Sequence, residues 1–267
     1  MRLPVALLLC LILAAAAAPA LAPYAPDQID LLNLRQPPSA THWLGTDDLG
    51  RDVLARVLDG ARVSLAVGLL SAAVAGASGL AIGGVAGYAG GAIDVMLMRG
   101  TDAMLAVPRL PLLMIAAAFL QPSVPVLVLM IGLAGWMETA RVVRAEFRTL
   151  QTRGFVESAR AAGSGHARVI LAHLLPNAVR AVIVSVTLAV ARGILLESAL
   201  SFFGVGVRPP QASWGNMLYT SQAALATEPW LAFAPGLFIL VTTTSLNAAG
   251  ERLAYSITGR VSPGSSS

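Results

Sequence analysis

Four stretches of this chain carry no charged residue: Leu3 to Pro26, Val63 to Ile93, Leu110 to Met137 and Pro229 to Gly250. Each is at least as long as the roughly 18–20 apolar residues that cross a bilayer as a helix. A backbone inside hydrocarbon must satisfy its own N–H and C=O groups, and continuous apolar runs do so as helices. With 56% hydrophobic and 12% charged residues over 267 positions, the sequence reads as an all-α polytopic membrane protein.

Several chemistries fall away on residue type alone. All eighteen basic residues are arginine, so the chain has no lysine for a phosphate-binding loop, a kinase site or a Schiff base. Cys10 is the single cysteine and lies in an apolar run, which removes an internal disulfide and a Cys-x-x-Cys site. His42, His166 and His173 are too dispersed to suggest a metal site. No nucleophile–base pair appears, so no catalytic residue is assigned. The net charge of +4 does not point to nucleic acid, because the arginines gather beside the apolar runs, where topology explains them.

Taken in order, Arg2 and Leu3–Ala22 resemble a signal peptide. Pro23, directly after Leu21-Ala22, disfavours cleavage there, so the stretch is read as a retained first span. Residues 23–60 set six aspartates against Arg35, Arg51 and Arg56, and this scarcity of arginine places them outside. Asp47 or Asp48 is expected to cap a surface helix over Val53–Leu58. The second span, about 62–88, carries Ala75, Gly79, Gly83, Gly87 and Gly91 at intervals of four, a face nearly free of side chains that lets another helix approach. The third, about 93–120, contains Asp94, Arg99, Asp102 and Arg109, with Asp102 read as interfacial beside Arg99, and is expected to kink at Pro108 and Pro111. Pro122 and Pro125 mark a turn into the fourth span, about 124–148, whose Arg141, Arg144 and Arg148 share a face suited to lipid head groups.

From Arg141 to Arg180 there are seven arginines against Glu146 and Glu157, which places this loop in the cytoplasm. Within it, helix formers over 157–162 are broken by Gly163 and Gly165, and a second short helix can follow over 166–174 before Pro176 opens a new one. The result is a cationic elbow outside the membrane, suited to being gripped by another protein. The fifth span, about 177–203, contains Arg192 and Glu197. A charge at that depth costs about 2.5–3.5 kcal/mol, so both must face protein or a wet cavity. Glu197 is read either as a packing hydrogen bond to a neighbouring span or as part of a pathway. Arg192 either pairs with it or meets a substrate carboxylate. Trp43 and Trp214 are read as interfacial anchors. The sixth span, about 229–250, completes six, with both termini in the cytoplasm.

Glu157-x-Ala159, Gly163 and Leu175-Pro176 resemble the coupling loop of binding-protein-dependent ABC importer permeases. Leu44-Gly-Thr-Asp-Asp-Leu-Gly-Arg-Asp-Val53, Gly60-Ala-Arg-Val-Ser64, Glu197-x-Ala-Leu-Ser201 and Ser213-Trp-Gly-Asn-Met217 are similar to the second permease subunit of the dipeptide, oligopeptide and nickel class. Ser158 stands where that pattern usually has alanine, and Arg192 where a small neutral residue is expected. The resemblance implies a type I importer permease fold of a prokaryotic cell membrane, with six transmembrane helices and a cytoplasmic coupling helix between the fourth and fifth. Residues 1–60 would form the first span and an extracytoplasmic segment, 61–256 a five-helix core with its coupling loop at 149–176, and 257–267 a cytoplasmic tail. It further implies a homologous permease partner, two ATPase subunits on which ATP and magnesium act, a solute-binding protein and surrounding lipid. Glu157, Ser158, Ala159, Gly163, Leu175 and Pro176 would engage the ATPase, and Arg192 and Glu197 would belong to the pathway or its gate. Peptides, glutathione and nickel complexes all use this architecture. An ion-coupled carrier or channel would draw on Arg192 and Glu197, yet the sequence has no acid–histidine relay and no inverted repeat.

Overall fold

A computed structural model describes residues 3–18, 22–121 and 123–258. Arg2, the Leu21 side of the candidate cleavage point, Pro122 and the tail from 259 lie outside the described residues. The described chain is helical, with one isolated bridge between Thr46 and Asp52. Its elements are α1 (Leu3–Ala16), α2 (Val53–Ala89), α3 (Gly91–Ala106), α4 (Arg109–Leu120), α5 (Val124–Leu133), α6 (Trp136–Gln151), α7 (Gly154–Ala161), α8 (His166–Phe202), α9 (Trp214–Ser221) and α10 (Trp230–Thr258).

By length and apolar content α2, α8 and α10 can each cross a membrane alone. The pairs α3–α4 and α5–α6 qualify only as bent units, broken by 84° and 44°, which gives between three and five spans among the described residues. The six single spans expected from sequence are therefore not all seen as such. The larger bend falls at Val107-Pro108, where proline was expected to kink the chain; the residue before a proline is pushed out of the helical region, and Val107 is extended. α1 is a shorter apolar helix of 14 residues.

α2 is the axis. Asp52, rather than Asp47 or Asp48, caps it by accepting a hydrogen bond from the Ala55 N–H at 2.8 Å. Asp47 instead folds the preceding loop, accepting from the Leu49 and Arg51 N–H groups. The expected surface helix over Val53–Leu58 is the buried first turns of α2 itself, and the helix then runs on for 37 residues, about 55 Å.

The small-residue face does what its spacing predicts. A Cβ on Gly83 would lie 2.3 Å from the Ala140 carbonyl oxygen, one on Gly79 2.6 Å from Thr139, and one on Gly87 2.8 Å from Phe147, so α6 lies backbone-to-backbone on α2. Gly91 is not part of this seam: with Gly90 it forms the turn into α3, at φ of +54° and +65°, with open space around both. The other side of α2 receives α8, where Gly193 packs on Gly68 with a notional Cβ 3.2 Å from its Cα. Arg144 grips Asp94 with two nitrogens, Arg148 reaches it at 3.2 Å and Arg141 binds Asp102, so the arginines assigned to lipid tie α6 to α3 instead.

Three of the sequence motifs meet around Glu197, which is 0% exposed. Ser64 of α2 and Ser201 of α8 donate to its carboxylate at 2.9 and 2.8 Å. The Trp214 N–H donates to Ser64 Oγ, and the Val207 N–H to Ser201 Oγ. Gly215 lets α9 touch Ser198, and Ser213 with Asn216 closes a capping box. Trp214, expected at an interface, is 0% exposed and donates its ring N–H to the Val57 carbonyl at 3.0 Å; Trp43 is the exposed one. A buried carboxylate with its acceptors filled is a lock between α2, α8 and α9.

Two substitutions test this packing. Gly83→Leu drives a side chain into the Ala140 backbone and costs about 3 kcal/mol, seen as loss of folded protein in detergent. Gly84→Ala, whose new Cβ meets Phe147 at an ordinary 3.4 Å, is tolerated. Glu197→Leu leaves buried hydroxyls without their acceptor and costs about 3 kcal/mol, read as a lowered thermal midpoint, whereas Glu197→Gln retains most of the stability.

Candidate coupling site and charged cluster

The chain leaves α6 at Gln151, turns through Thr152 and Arg153, and forms the eight-residue α7. Its apolar face supplies one key: Val156 is 0% exposed and packs with Val143, Phe147, Leu150, Val169 and Leu174. Glu157 and Ser158 lie on the exposed side, and Ala159 is half-buried. Glu157 also sits in the first turn of α7, where the helix dipole favours an anion.

Gly163 ends α7 in the left-handed region at φ +79°. The Ser164 N–H bonds to the Ala159 carbonyl and the Gly163 N–H to the Arg160 carbonyl, the paired bonds of a Schellman stop. A Cβ at Gly163 would meet nothing within 4 Å, so backbone conformation alone selects glycine here. The second short helix and the fresh start at Pro176 do not form as separate elements. α8 begins at His166 and continues through Pro176 into the apolar span. It does so because Val169–Leu174 winds as a π segment, with the Leu175 N–H bonding back five residues to Ile170. That wider register accommodates a proline that would otherwise clash with the preceding turn. Leu175 is half-buried and Pro176 exposed.

The elbow is latched to the far end of α2. Gln151 donates to the Gly87 carbonyl at 2.7 Å, and Arg160 donates to Gln151 at 2.8 Å while its guanidinium lies 5.9 Å from the Tyr88 ring. The Tyr88 hydroxyl contacts His166 Nδ1 at 2.6 Å. Sequence reading missed this latch: neither Tyr88 nor Gln151 carries a local signal, since both act across the fold. The aspartate-rich loop clasps the other end of α2, where Arg56 meets Asp27 and Asp47. Elbow and loop therefore stand at opposite ends of the 37-residue axis.

Arg192 and Glu197 are not partners. Glu197 is spent in the serine lock, while Arg192 binds Glu138 on α6, which also accepts from Arg109 Nη2 at 2.8 Å. Side chains of this trio are 39%, 36% and 21% exposed for Arg192, Glu138 and Arg109. Arg109 and Glu138 were visible in the sequence only as isolated charges beside apolar runs. Among the described residues no group of three His, Cys, Asp or Glu could hold a metal ion.

The family described as binding-protein-dependent transport system inner membrane component matches residues 79–259, a stretch that includes the elbow, α8 and all of α10. The oligopeptide transport system permease protein OppC of Bacillus subtilis is 35% identical over 92% of this chain and 81% of its own length. OppC of Mycobacterium tuberculosis strain H37Rv is 36% identical over 93% and 86%, and a putative peptide permease protein of Brucella suis is 37% identical over 86% and 77%. A solved structure of the MetNI methionine ABC transporter in an inward facing conformation aligns with a TM-score of 0.62, covering 75% of this chain and 95% of that one at 16% identity, a likeness of fold. The chain belongs to the family of binding-protein-dependent transport system inner membrane components, the membrane part of an ABC importer.

Proposed function

We propose that this chain forms half of the translocation pathway of an ATP-driven peptide importer, completed by a homologous permease. Two ATPase subunits, on which ATP and magnesium act, grip the elbow, and a solute-binding protein delivers cargo at the opposite face. Peptide cargo is supported by the relatives, which are named as oligopeptide or peptide permeases. The reading places six spans in a prokaryotic cell membrane, α1 being the first, with the elbow and both termini in the cytoplasm. Arg192, half-exposed, serves the pathway, while Glu197 braces the helices around it.

The observation that carries the coupling role is the position of α7. It stands on the outside of the bundle with Glu157 and Ser158 exposed, yet Val156 keys it into the core between α6 and α8. A force applied to the exposed side is thereby delivered to two long helices rather than lost in a flexible loop. Leu175 and Pro176 mark where the push enters α8, at its π segment.

In proteoliposomes holding the assembled transporter, Gly163→Leu forces a branched side chain into left-handed backbone at about 1–2 kcal/mol, a factor of about ten. Import per ATP hydrolysed falls by that factor while the protein remains folded, because the new side chain meets open space. Glu157→Lys reverses the charge offered to the ATPase and uncouples in the same direction. Import and ATPase activity measured together check both; wild-type coupling in the two variants would remove the elbow from the mechanism.

A further inference from the structure

The trio of Arg109, Glu138 and Arg192 takes part in neither the elbow nor the serine lock. Each member sits where a helix is interrupted or faces an interruption. Arg109 is the first residue of α4, just past the 84° bend; Glu138 lies in the first turn of α6, just past the 44° bend; Arg192 projects from α8 onto both. One oxygen of the Glu138 carboxylate is taken by Arg109 and the other by Arg192. Two guanidiniums thus share one carboxylate, and the cluster carries one uncompensated positive charge.

An unbalanced cation facing lipid would cost about 2.5–3.5 kcal/mol or more, so the partly exposed side of this trio belongs against a wet cavity. Interrupted helices at membrane depth likewise persist where they line such a cavity. We infer that the trio is an anion station on the translocation path, which takes the carboxylate of the solute in transit, in a peptide its C-terminal carboxylate. Planar guanidiniums match a carboxylate with paired N–H donors. Glu138 holds both in place before cargo arrives and competes with the cargo for them. The bound carboxylate is therefore exchangeable, as passage requires: favourable enough to enter and weak enough to leave.

This inference rests on the importer reading, and its test separates the two. Cys10 is the only cysteine, so Cys10→Ala gives a cysteine-free chain, and Leu195→Cys places a thiol about one turn from Arg192 on α8, at a position 46% exposed. In proteoliposomes of the assembled transporter, modification of this chain by an anionic and a cationic methanethiosulfonate is followed by mass, each rate scaled to that of a free thiol. The anionic reagent is favoured by about fivefold. That preference disappears in Arg192→Gln and persists in Arg192→Lys, and tetra-alanine slows modification whereas its C-terminal amide does not. A cysteine unreactive to both reagents, a preference unchanged by Arg192→Gln, or, in vesicles that import tetra-alanine, equal protection by acid and amide overturns the station. Import of tetra-alanine by the same vesicles is read in parallel: its absence overturns the peptide reading, while the reagent preference still decides whether the cluster attracts anions.

Discussion

The close approach of α2 to its neighbours is the constraint on which everything else depends. In a bilayer there is little hydrophobic gain in bringing two apolar helices together, so association rests on contact and on polar bonds. Gly79, Gly83 and Gly87 remove the side chains that would hold α6 away, and Gly68 does the same toward α8. Two long helices are therefore fixed against one axis on different faces. Their polar seams follow from that closeness: Ser64 to Glu197 between α2 and α8, and Thr139 to Ser185 at 2.9 Å between α6 and α8.

What the axis holds at one end is an elbow that is neither loose nor buried. Gln151, Tyr88, Arg160 and His166 fasten it to the last turn of α2, and Val156 fills the core beneath it. Its charged residues are divided in use. Arg160 reaches across to the latch, while Glu157 makes no part of it and stays exposed. A connection built this way is packed against both α6 and α8.

Local chemistry was legible in the sequence and long-range pairing was not. The glycine period at Gly79, Gly83 and Gly87 and the stop at Gly163 each follow from short-range rules, and the structure bears out their geometry. The cap at Asp52 was obscured because Asp47, Asp48 and Asp52 are all good capping residues, and only the fold shows that Asp47 is occupied by Arg51. Pro176 looked like a helix start because its usual penalty assumes an α register, and the π segment changes that register. Trp214 looked interfacial by type, but a notch beside Val57 and Ser64 receives it. Glu197 was the acid within sequence reach of Arg192, whereas its partner Glu138 lies on another helix, at a bend that apolar content does not reveal.

The same placement connects the two ends of the proposed mechanism. α6 and α8 are the helices that leave the elbow, and Glu138 and Arg192 are carried by those same two helices. Arg109 comes from α4, beyond the 84° break, and is not bound to the elbow through any continuous helix. A rigid shift of α6 with α8 would keep the Glu138–Arg192 pair together and move both relative to Arg109. The guanidinium freed from Glu138 in such a shift is then Arg109's, the one whose release changes the charge presented to the cavity.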